Sequence, residues 1–407
     1  MKAAGPFPPD FRADSGHLLL GDRTAAGLVK EAGGTPLFVY DRSVVAERVR
    51  RFRAAFPGVA LHYAVKANPF GPLLAYMAGL VDGFDLASAG ELDMLQAIGG
   101  DGLPTSFAGP GKTDDDLAAG LAAAVTINLE SEAEWQRLHR LAARDSRRPK
   151  VAVRINPPFG LKGSGMKMGG LASPFGVDHD RVPTLVRRII DSGADWRGLH
   201  VYAGSQSLSS DAIIESQRAT VALAAEIAGA AGASPPEVNL GGGFGIPYFP
   251  GDQPLDVRAV GEALKETLAN RHALLRDTKF ILELGRWLVG EAGVYLTSVV
   301  DRKVSRGKTY LVTDGGLQHM LAASGNFGQL LRRNYPVAVP GKFGSEPEEE
   351  VTVVGCLCTP LDLLADEVML PRAEVGDLVA IFSVGAYGLT ASPQAFLSMA
   401  AAGEVLV

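Results

Sequence analysis

The sequence predicts an α/β fold built on a (β/α)8 TIM-type barrel, followed by a C-terminal all-β domain. Through the first 290 residues, short β-branched runs alternate with longer amphipathic, alanine-rich segments, which is typical of repeated βα units. After Gly290 long helical patterns become scarce, and short strands alternate with turns. Because 407 residues exceed what a single core usually supports, one large and one smaller domain are expected.

The barrel prediction depends on a count of buried runs. The eight runs predicted as parallel strands are 59–65, 83–87, 105–108, 125–129, 151–155, 198–203, 238–240 and 280–284. Helices are predicted around and between them at 43–56, 89–98, 113–121, 131–144, 182–192, 210–231 and 257–276. Eight strands with helical crossovers over about 225 residues match the size of such a barrel.

The predicted domain organisation has three parts. Residues 1–40 are expected to form N-terminal strands that pack with the β domain, residues 41–290 form the barrel, and residues 291–407 form the β domain. The β domain is expected to be a β-sandwich or Greek-key barrel, with strands at 292–300, 309–313, 351–355 and 378–382.

Composition excludes several classes of function. The net charge is −6 and no dense basic stripe is present, which argues against nucleic-acid binding. No window of about 18 uncharged apolar residues is present, so no membrane span is expected. The two cysteines, Cys356 and Cys358, form no disulfide framework, and a soluble protein of the reducing cytoplasm is predicted.

Polar or glycine residues stand at the ends of five predicted barrel strands. They are Lys66, Arg154, Tyr202, the run Gly241, Gly242 and Gly243, and Glu283. Because strand carboxyl ends converge on one face of a barrel, we expect these residues to share an active site.

Each of these residues also has an ordinary interpretation. Lys66 is either a solvated loop lysine or a partly desolvated amine able to form a Schiff base. The glycine run is either a tight turn or a set of backbone amides that bind a phosphate. Glu283 either pairs with its neighbour Arg286 or keeps a pyridine nitrogen protonated, as pyridoxal phosphate chemistry requires. Arg286 itself suits a phosphate or carboxylate.

Two further features leave alternatives open. Cys356 and Cys358 lack partners for a metal site, so none is predicted, and strand alternation puts both cysteines on one face without choosing a reactive one. The glycine-rich run 160–170 after strand five is either a lid over the pocket or a mobile surface loop.

Seven segments together carry a family resemblance. They are 63–68 (YAVKAN), 84–88 (FDLAS, with Asp85), 204–206 (GSQ), 241–244 (GGGF, with Phe244), 283–286 (ELGR, with Gly285), the segment around Cys358, and 385–387 (GAY). In this order they resemble the pyridoxal-phosphate decarboxylases of the alanine-racemase-like fold, the ornithine, arginine and diaminopimelate decarboxylase group.

The resemblance implies roles for individual residues. Lys66 holds pyridoxal 5′-phosphate through a Schiff base, Glu283 pairs with the pyridine nitrogen, and Cys358 helps to protonate Cα after carbon dioxide leaves. The residues implied in binding the cofactor phosphate are Ser205, Gly243, Arg286 and Tyr387. The rest of the implied cofactor site consists of Asp85, Arg154, Tyr202, Gly241, Gly242, Phe244 and Gly285. The residues implied in contacting substrate are Arg286, Asp362 and Tyr387. A head-to-tail homodimer with two shared active sites is implied as well.

Departures from the family pattern bear on the substrate. Diaminopimelate enzymes carry Cys-Glu-Ser where this chain has Cys358, Thr359 and Pro360, and Tyr202 stands where relatives stack a histidine on the cofactor ring. The segments 161–170, 174–177, 324–329, 332–336 and 358–362 are similar to a narrower branch. That branch contains the butirosin-pathway decarboxylase of a glutamyl-carrier protein and the exosortase-associated decarboxylases.

The sequence therefore predicts a decarboxylase of an α-amino acid or of an aminoacyl group on a carrier protein. The alternatives are a diaminopimelate-type enzyme acting on a free amino acid, a racemase on the same fold, and a non-catalytic cofactor-binding homologue. Racemases of this fold usually place arginine at the pyridine nitrogen, so Glu283 favours decarboxylation.

Overall fold

The computed structural model describes residues 2–161, 166–167, 169–327, 329 and 331–407. The chain divides into two compact units. The barrel unit comprises Val49–Gly245 and Pro254–Gly285, and the β unit comprises Met1–Arg48, Ile246–Gln253 and Arg286–Val407. The predicted domain boundaries near residues 40 and 290 stay a prediction.

The strands and helices are numbered in chain order. The strands are β1 (Arg12–Asp14), β2 (His17–Leu20), β3 (Arg23–Thr24), β4 (Leu37–Tyr40), β5 (Ala60–Ala64), β6 (Gly83–Leu86), β7 (Thr105–Phe107), β8 (Thr126–Leu129), β9 (Lys150–Asn156), β10 (Met166–Lys167), β11 (Val177–Asp178), β12 (Asp195–Val201), β13 (Gly204–Ser205), β14 (Glu237–Asn239), β15 (Lys279–Leu284), β16 (Gly293–Ser305), β17 (Lys308–Thr313), β18 (Val337–Ala338), β19 (Glu349–Val354), β20 (Leu363–Leu370), β21 (Leu378–Phe382) and β22 (Gly403–Leu406). The helices are α1 (Ala25–Ala32), α2 (Arg42–Ala55), α3 (Gly71–Ala78), α4 (Ala89–Ala97), α5 (Asp114–Ala122), α6 (Glu132–Arg144), α7 (Val182–Asp191), α8 (Ser210–Ala231), α9 (Val257–Ala269) and α10 (Arg286–Val289).

The barrel unit contains a closed parallel sheet. Strands β5, β6, β7, β8, β9, β12, β14 and β15 pair in that order, and β15 pairs in turn with β5. Helices α3 to α9 connect successive strands. All eight predicted strands are present, so the predicted (β/α)8 barrel is confirmed.

Local sequence explains where the barrel elements begin and end. Every residue of β5 is buried, as expected for a parallel strand covered on both faces. Ser88 and Ser131 cap α4 and α6 by accepting hydrogen bonds of 3.1 Å from the amides of Glu91 and Glu134. Only two residues separate β6 from α4 and β8 from α6. These short turns hold the strand ends rigidly at one rim.

The β unit is organised around the long strand β16. Its sheet has the order β18, β21, β16, β17, β19, β20, and β4 pairs with both β16 and β22. Leu18, Leu20 and Leu28 from the N-terminal segment share an apolar core with Leu296 and Phe382. A mixed β domain that includes the N-terminal strands therefore accompanies the barrel.

Some elements differ from the prediction. Helices α1 and α3 and strands β20 and β22 were not predicted, and α9 ends at Ala269 rather than at residue 276. Among the described helices, none combines the length and the apolar character needed to cross a membrane.

Candidate active site

Lys66 lies in a single 3-10 turn, Val65–Ala67, directly after β5. Its side chain is exposed, whereas the residue on either side of it is buried. The Tyr63 hydroxyl donates a hydrogen bond of 2.9 Å to the Asn68 carbonyl and thereby braces the turn. The fold thus presents an accessible amine at the carboxyl end of a buried barrel strand.

An aromatic ring and a second cation lie beside the Lys66 amine. Lys66 Nζ is 5.0 Å from the centroid of the Tyr202 ring, and Arg154 Cζ is 5.9 Å from the same centroid. Arg154 is itself buried, and its Nη1 donates a 2.8 Å hydrogen bond to Glu130 Oε1. The structure therefore brings together three of the predicted site residues, Lys66, Arg154 and Tyr202.

Glu283 is buried on β15, and side chains from β14 and β12 lie against its Oε2 atom. Asn239 Nδ2 donates a hydrogen bond of 3.0 Å to Oε2, and His200 Nε2 lies 3.1 Å from it. Burial alone raises the pKa of the Glu283 carboxyl, but His200, Lys66 and Arg154 together lower it to about 2. Glu283 is therefore a carboxylate at neutral pH.

The glycine run after β14 requires glycine at each position. A Cβ atom on Gly241, Gly242 or Gly243 would lie 2.4, 2.0 or 2.5 Å, respectively, from a backbone carbonyl oxygen. Gly241 and Gly243 also have positive φ angles of 71° and 83°. The run packs against the 204–207 segment, because the Gly243 carbonyl accepts a hydrogen bond of 2.9 Å from the Ser207 amide.

An anion site at this run would depend on backbone amides and hydroxyls. The next helix in the chain, α9, begins only at Val257, so no helix N-terminus directly follows the glycines. Ser205 is buried in β13 beside the run. A helix N-terminus therefore does not contribute here, and both the tight turn and the set of phosphate-binding amides remain.

Three other predicted cofactor residues have contacts of different kinds. Gly285 lets the end of β15 approach the Lys66 turn, since a Cβ there would be 2.7 Å from Ala67 Cβ. Asp85 accepts a hydrogen bond from Ser106 and lies on an interior strand. Phe244 is buried, with its ring 5.9 Å from that of Phe56. The described contacts place Gly285 next to the Lys66 turn and give Phe244 a role in the core.

In the β unit, Arg286 lies in a cluster of tyrosines. Arg286 Nη1 donates a hydrogen bond of 2.7 Å to the Tyr248 hydroxyl, and its Cζ is 4.6 Å from the Tyr387 ring centroid. Burial alone lowers the pKa of the guanidinium, but the neighbouring tyrosines raise it overall. Tyr387 adopts a positive φ of 54°, which is rare outside glycine. Arg286 and Tyr387, both predicted phosphate ligands, are therefore in contact.

The two cysteines differ in their surroundings. The expectation that they share one strand face is wrong, because β19 ends at Val354 and both lie in the bend that follows. Cys356 is half-buried, donates to the Asp314 carbonyl, and has its pKa raised by burial. Cys358 is exposed. Solvent exposure therefore distinguishes Cys358 from Cys356, which alternation along the sequence did not do.

Asp362 supports the loop that carries the cysteines. Its carboxylate accepts hydrogen bonds of 2.7 and 2.8 Å from the amides of Leu317 and Leu357, and burial raises its pKa. These contacts favour a structural role, and its contact with substrate stays a prediction.

The glycine-rich run 160–170 cannot be assigned from these contacts. Its residues 162–165 and 168 lie outside the described part of the chain, so the lid and the surface loop both remain predictions.

Sequence reasoning missed four residues with clear contacts to the predicted site. They are Glu130, His200, Asn239 and Tyr248. Position could have revealed two of them: Glu130 directly follows β8, and alternation along the predicted strand 198–203 would put His200 on the same face as Tyr202. Tyr248 gave no signal, because it contacts Arg286 only through the tertiary fold.

Known proteins with similar sequences share one type of chemistry. Residues 42–290 match the family described as "Pyridoxal-dependent decarboxylase, pyridoxal binding domain". An L-glutamyl-(BtrI acyl-carrier protein) decarboxylase of Niallia circulans is 36% identical over 384 residues, which cover 91% of this chain and 88% of the relative. A diaminopimelate decarboxylase of Methanothermobacter thermautotrophicus is 31% identical, covering 98% of this chain and 93% of the relative.

Solved structures give the same result for the fold. The diaminopimelate decarboxylase of M. jannaschii in complex with L-lysine has a TM-score of 0.86 and 26% identity, and the match covers 98% of this chain and 93% of that chain. A double mutant of SrLDC, solved in complex with PLP, has a TM-score of 0.81 and 26% identity, and the match covers 94% of this chain and 95% of that chain.

Proposed function

The chain belongs to the pyridoxal-dependent decarboxylases, and on that premise we propose that it removes the α-carboxyl group of an amino acid or of an aminoacyl group on a carrier protein. Pyridoxal phosphate is its cofactor. When bound, this cofactor supplies an electron sink for the electron pair that the departing carboxyl group leaves at Cα.

The barrel residues fit this cofactor on three counts. An exposed amine, Lys66, stands at a strand end where an aldehyde can reach it. The buried anion Glu283 suits a protonated ring nitrogen. The three glycines carry no side chains over their backbone, which suits a phosphate held by amides.

The observation that carries the proposal is that Lys66 and Glu283 come from the adjacent, paired strands β5 and β15, with Lys66 directly after β5 and Glu283 near the end of β15. The charge on the Lys66 amine contributes to the lowered pKa of Glu283, which places the two groups in one electrostatic environment. In our proposal Lys66 is the amine that would hold the cofactor, Glu283 would pair with the ring nitrogen and keep it protonated, and Tyr202 would contribute its aromatic ring to the same site.

Roles for three residues of the β unit rest on the resemblance. Arg286 and Tyr387 are proposed to bind the cofactor phosphate, in keeping with the retained cationic charge of Arg286. Cys358 is proposed to deliver a proton to Cα, and its exposure supports this role. In the proposed head-to-tail homodimer, Cys358 acts in the active site of the partner subunit. We place this dimer in the cytoplasm, because the chain's only two cysteines provide no disulfide framework.

The carrier-bound substrate is favoured over diaminopimelate. The relative from Niallia circulans acts on a glutamyl group attached to a carrier protein, and this chain has Thr359 and Pro360 where diaminopimelate enzymes have glutamate and serine. A free amino acid is the second candidate, supported by the similarity to diaminopimelate decarboxylases.

Carbon dioxide release tests the proposal. The protein loaded with pyridoxal phosphate is assayed against a panel of aminoacyl carrier thioesters and free amino acids, with Lys66→Ala as the inactive control. We expect release from a carrier thioester and none from free diaminopimelate, lysine, ornithine or arginine. Loss of optical rotation in a substrate without carbon dioxide release would instead identify a racemase.

A further inference from the structure

His200 is placed to control the Glu283 carboxylate. It lies on β12, which pairs with β14, the strand that carries Asn239 and separates His200 from Glu283 on β15. His200 and Glu283 are both buried, with side chains 2% and 4% exposed. The short distance of 3.1 Å between His200 Nε2 and Glu283 Oε2 is therefore a contact away from bulk water.

This contact determines which ring nitrogen carries a proton. The two atoms do not have the alignment of a linear hydrogen bond, yet they lie at ion-pair distance. Two unprotonated lone-pair atoms at that distance would repel each other strongly in a dry pocket. The proton must therefore reside on Nε2. The other nitrogen, Nδ1, is buried and has no hydrogen-bond partner among the described residues. No hydrogen bond to Nδ1 therefore favours a different position of the proton on the ring.

The other groups near Glu283 cannot replace His200. Lys66 and Arg154 also act on its charge. The Lys66 amine, however, is committed to the cofactor in the proposed function, and the Arg154 guanidinium already pairs with Glu130. Asn239 is a neutral donor that also accepts a hydrogen bond of 2.8 Å from the Gly241 amide. His200 thus presents its Nε2 directly to the carboxylate.

We propose that His200 is a positioning residue. Together with Asn239 it lies against Oε2 of Glu283, which keeps the carboxylate ionised and leaves its other oxygen for the cofactor nitrogen. This inference rests on the proposed function, since it assumes that Glu283 faces that nitrogen. His200 acts through Glu283 and does not itself touch the reacting atoms.

The protonation of the cofactor nitrogen provides the test. The full-length protein is loaded with 15N-labelled pyridoxal phosphate, and the nitrogen chemical shift is followed against pH in the wild type, in His200→Leu and in His200→Gln. Leucine fills the buried volume without a donor, whereas glutamine keeps an N–H near the position of Nε2. We expect a smaller protonated fraction of the ring nitrogen at neutral pH in His200→Leu, because the buried carboxyl, without its donor, takes up the proton that it otherwise leaves on the nitrogen. We expect His200→Gln to restore wild-type behaviour.

Two outcomes separate failure of the inference from failure of the proposed function. An unchanged titration in folded His200→Leu would overturn the positioning role. Wild-type protein that binds no labelled cofactor would overturn the proposed function instead. Should His200→Leu not fold, proton–nitrogen correlation spectra of histidine-labelled wild type decide the matter: a proton on Nε2 of His200 supports the inference, and a bare Nε2 refutes it.

Discussion

At the scale of single residues, the surroundings of a side chain decide which chemistry it can perform. Glu283 differs from an ordinary carboxyl because His200 and Asn239 contact one of its oxygens in a buried site. Lys66 differs from surface lysines because it stands on a braced turn at a strand end. The surroundings of Glu283 come from other strands, so local sequence leaves its role ambiguous, whereas the brace beside Lys66 is formed by the nearby residues Tyr63 and Asn68.

The two cysteines should react at different rates. Cys358 is exposed, whereas Cys356 is half-buried, hydrogen-bonded and has a raised pKa. Since the thiolate is the reactive form, brief treatment with iodoacetamide at pH 7.5 should label Cys358 first. Mass spectrometry of the digested protein measures the order of labelling.

The same pair provides matched variants for catalysis. Cys358→Ser should lower the decarboxylation rate by about 100-fold or more, as expected for loss of a proton donor. Cys356→Ser should change the rate little. Equal effects from both substitutions would show that the loop matters only for structure.

The buried Glu283 should contribute a pH-dependent part of the stability. Its folded-state pKa of about 2 lies below the ordinary value of 4.5. The stabilisation is therefore complete above pH 4.5 and is lost as the pH falls toward 2. The difference in free energy of unfolding between the wild type and Glu283→Gln, measured with urea, should be constant near neutral pH and change below about pH 5.

A surface residue serves as the control for this titration. Glu262, exposed and paired with Arg258 on α9, should show almost no such change when replaced by glutamine. A pH-independent difference for Glu283→Gln would mean that the carboxylate is not held by its neighbours.

At the scale of elements, the turn after β14 depends on backbone packing that excludes side chains. A Cβ at Gly242 would lie 2.0 Å from the Glu283 carbonyl oxygen, so Gly242→Ala must push β14 and β15 apart. We expect a destabilisation of about 1–3 kcal/mol and weaker cofactor binding. Urea unfolding and a fluorescence titration with pyridoxal phosphate measure the two effects.

An unconstrained glycine is the matched control. Gly111 has nothing within 4 Å of its Cβ position and no positive φ, so Gly111→Ala should leave both quantities unchanged. If Gly242→Ala binds the cofactor as tightly as the wild type does, the glycine run is not part of the cofactor site.

Elements with a strong local pattern were predictable, and those defined by distant contacts were not. The eight barrel strands are short runs made mostly of buried residues, and α8 was predicted with its observed bounds. By contrast, α3 is only eight residues long and begins at Gly71 and Pro72, which look like a turn. Strand β22 pairs with β4 from the opposite end of the chain, a partnership with no local signature.

Within the site, strand order was enough to find Lys66, Arg154, Tyr202 and Glu283. The supporting residues His200 and Asn239 escaped because their importance lies in the distance to a single carboxylate oxygen. The contrast between Cys356 and Cys358 likewise required the fold, because β19 ends before either cysteine.

At the scale of the whole molecule, the proposed dimer makes each active site depend on two chains. Lys66 and Cys358 then belong to opposite subunits at each site. Inactive Lys66→Ala and Cys358→Ala chains, mixed and allowed to exchange, should regain about a quarter of wild-type activity, because half of the dimers are mixed and each has one intact site. A mixture no more active than its components would contradict shared sites.

Reduction of the loaded protein with borohydride, followed by peptide mass spectrometry, tests the central claim most directly. The reagent fixes the cofactor permanently to the amine that holds it. Our account predicts a single pyridoxyl group, on Lys66, that is absent from Lys66→Ala. A modification on a different lysine, or none on a protein that retains bound cofactor, would contradict the site assigned to this barrel.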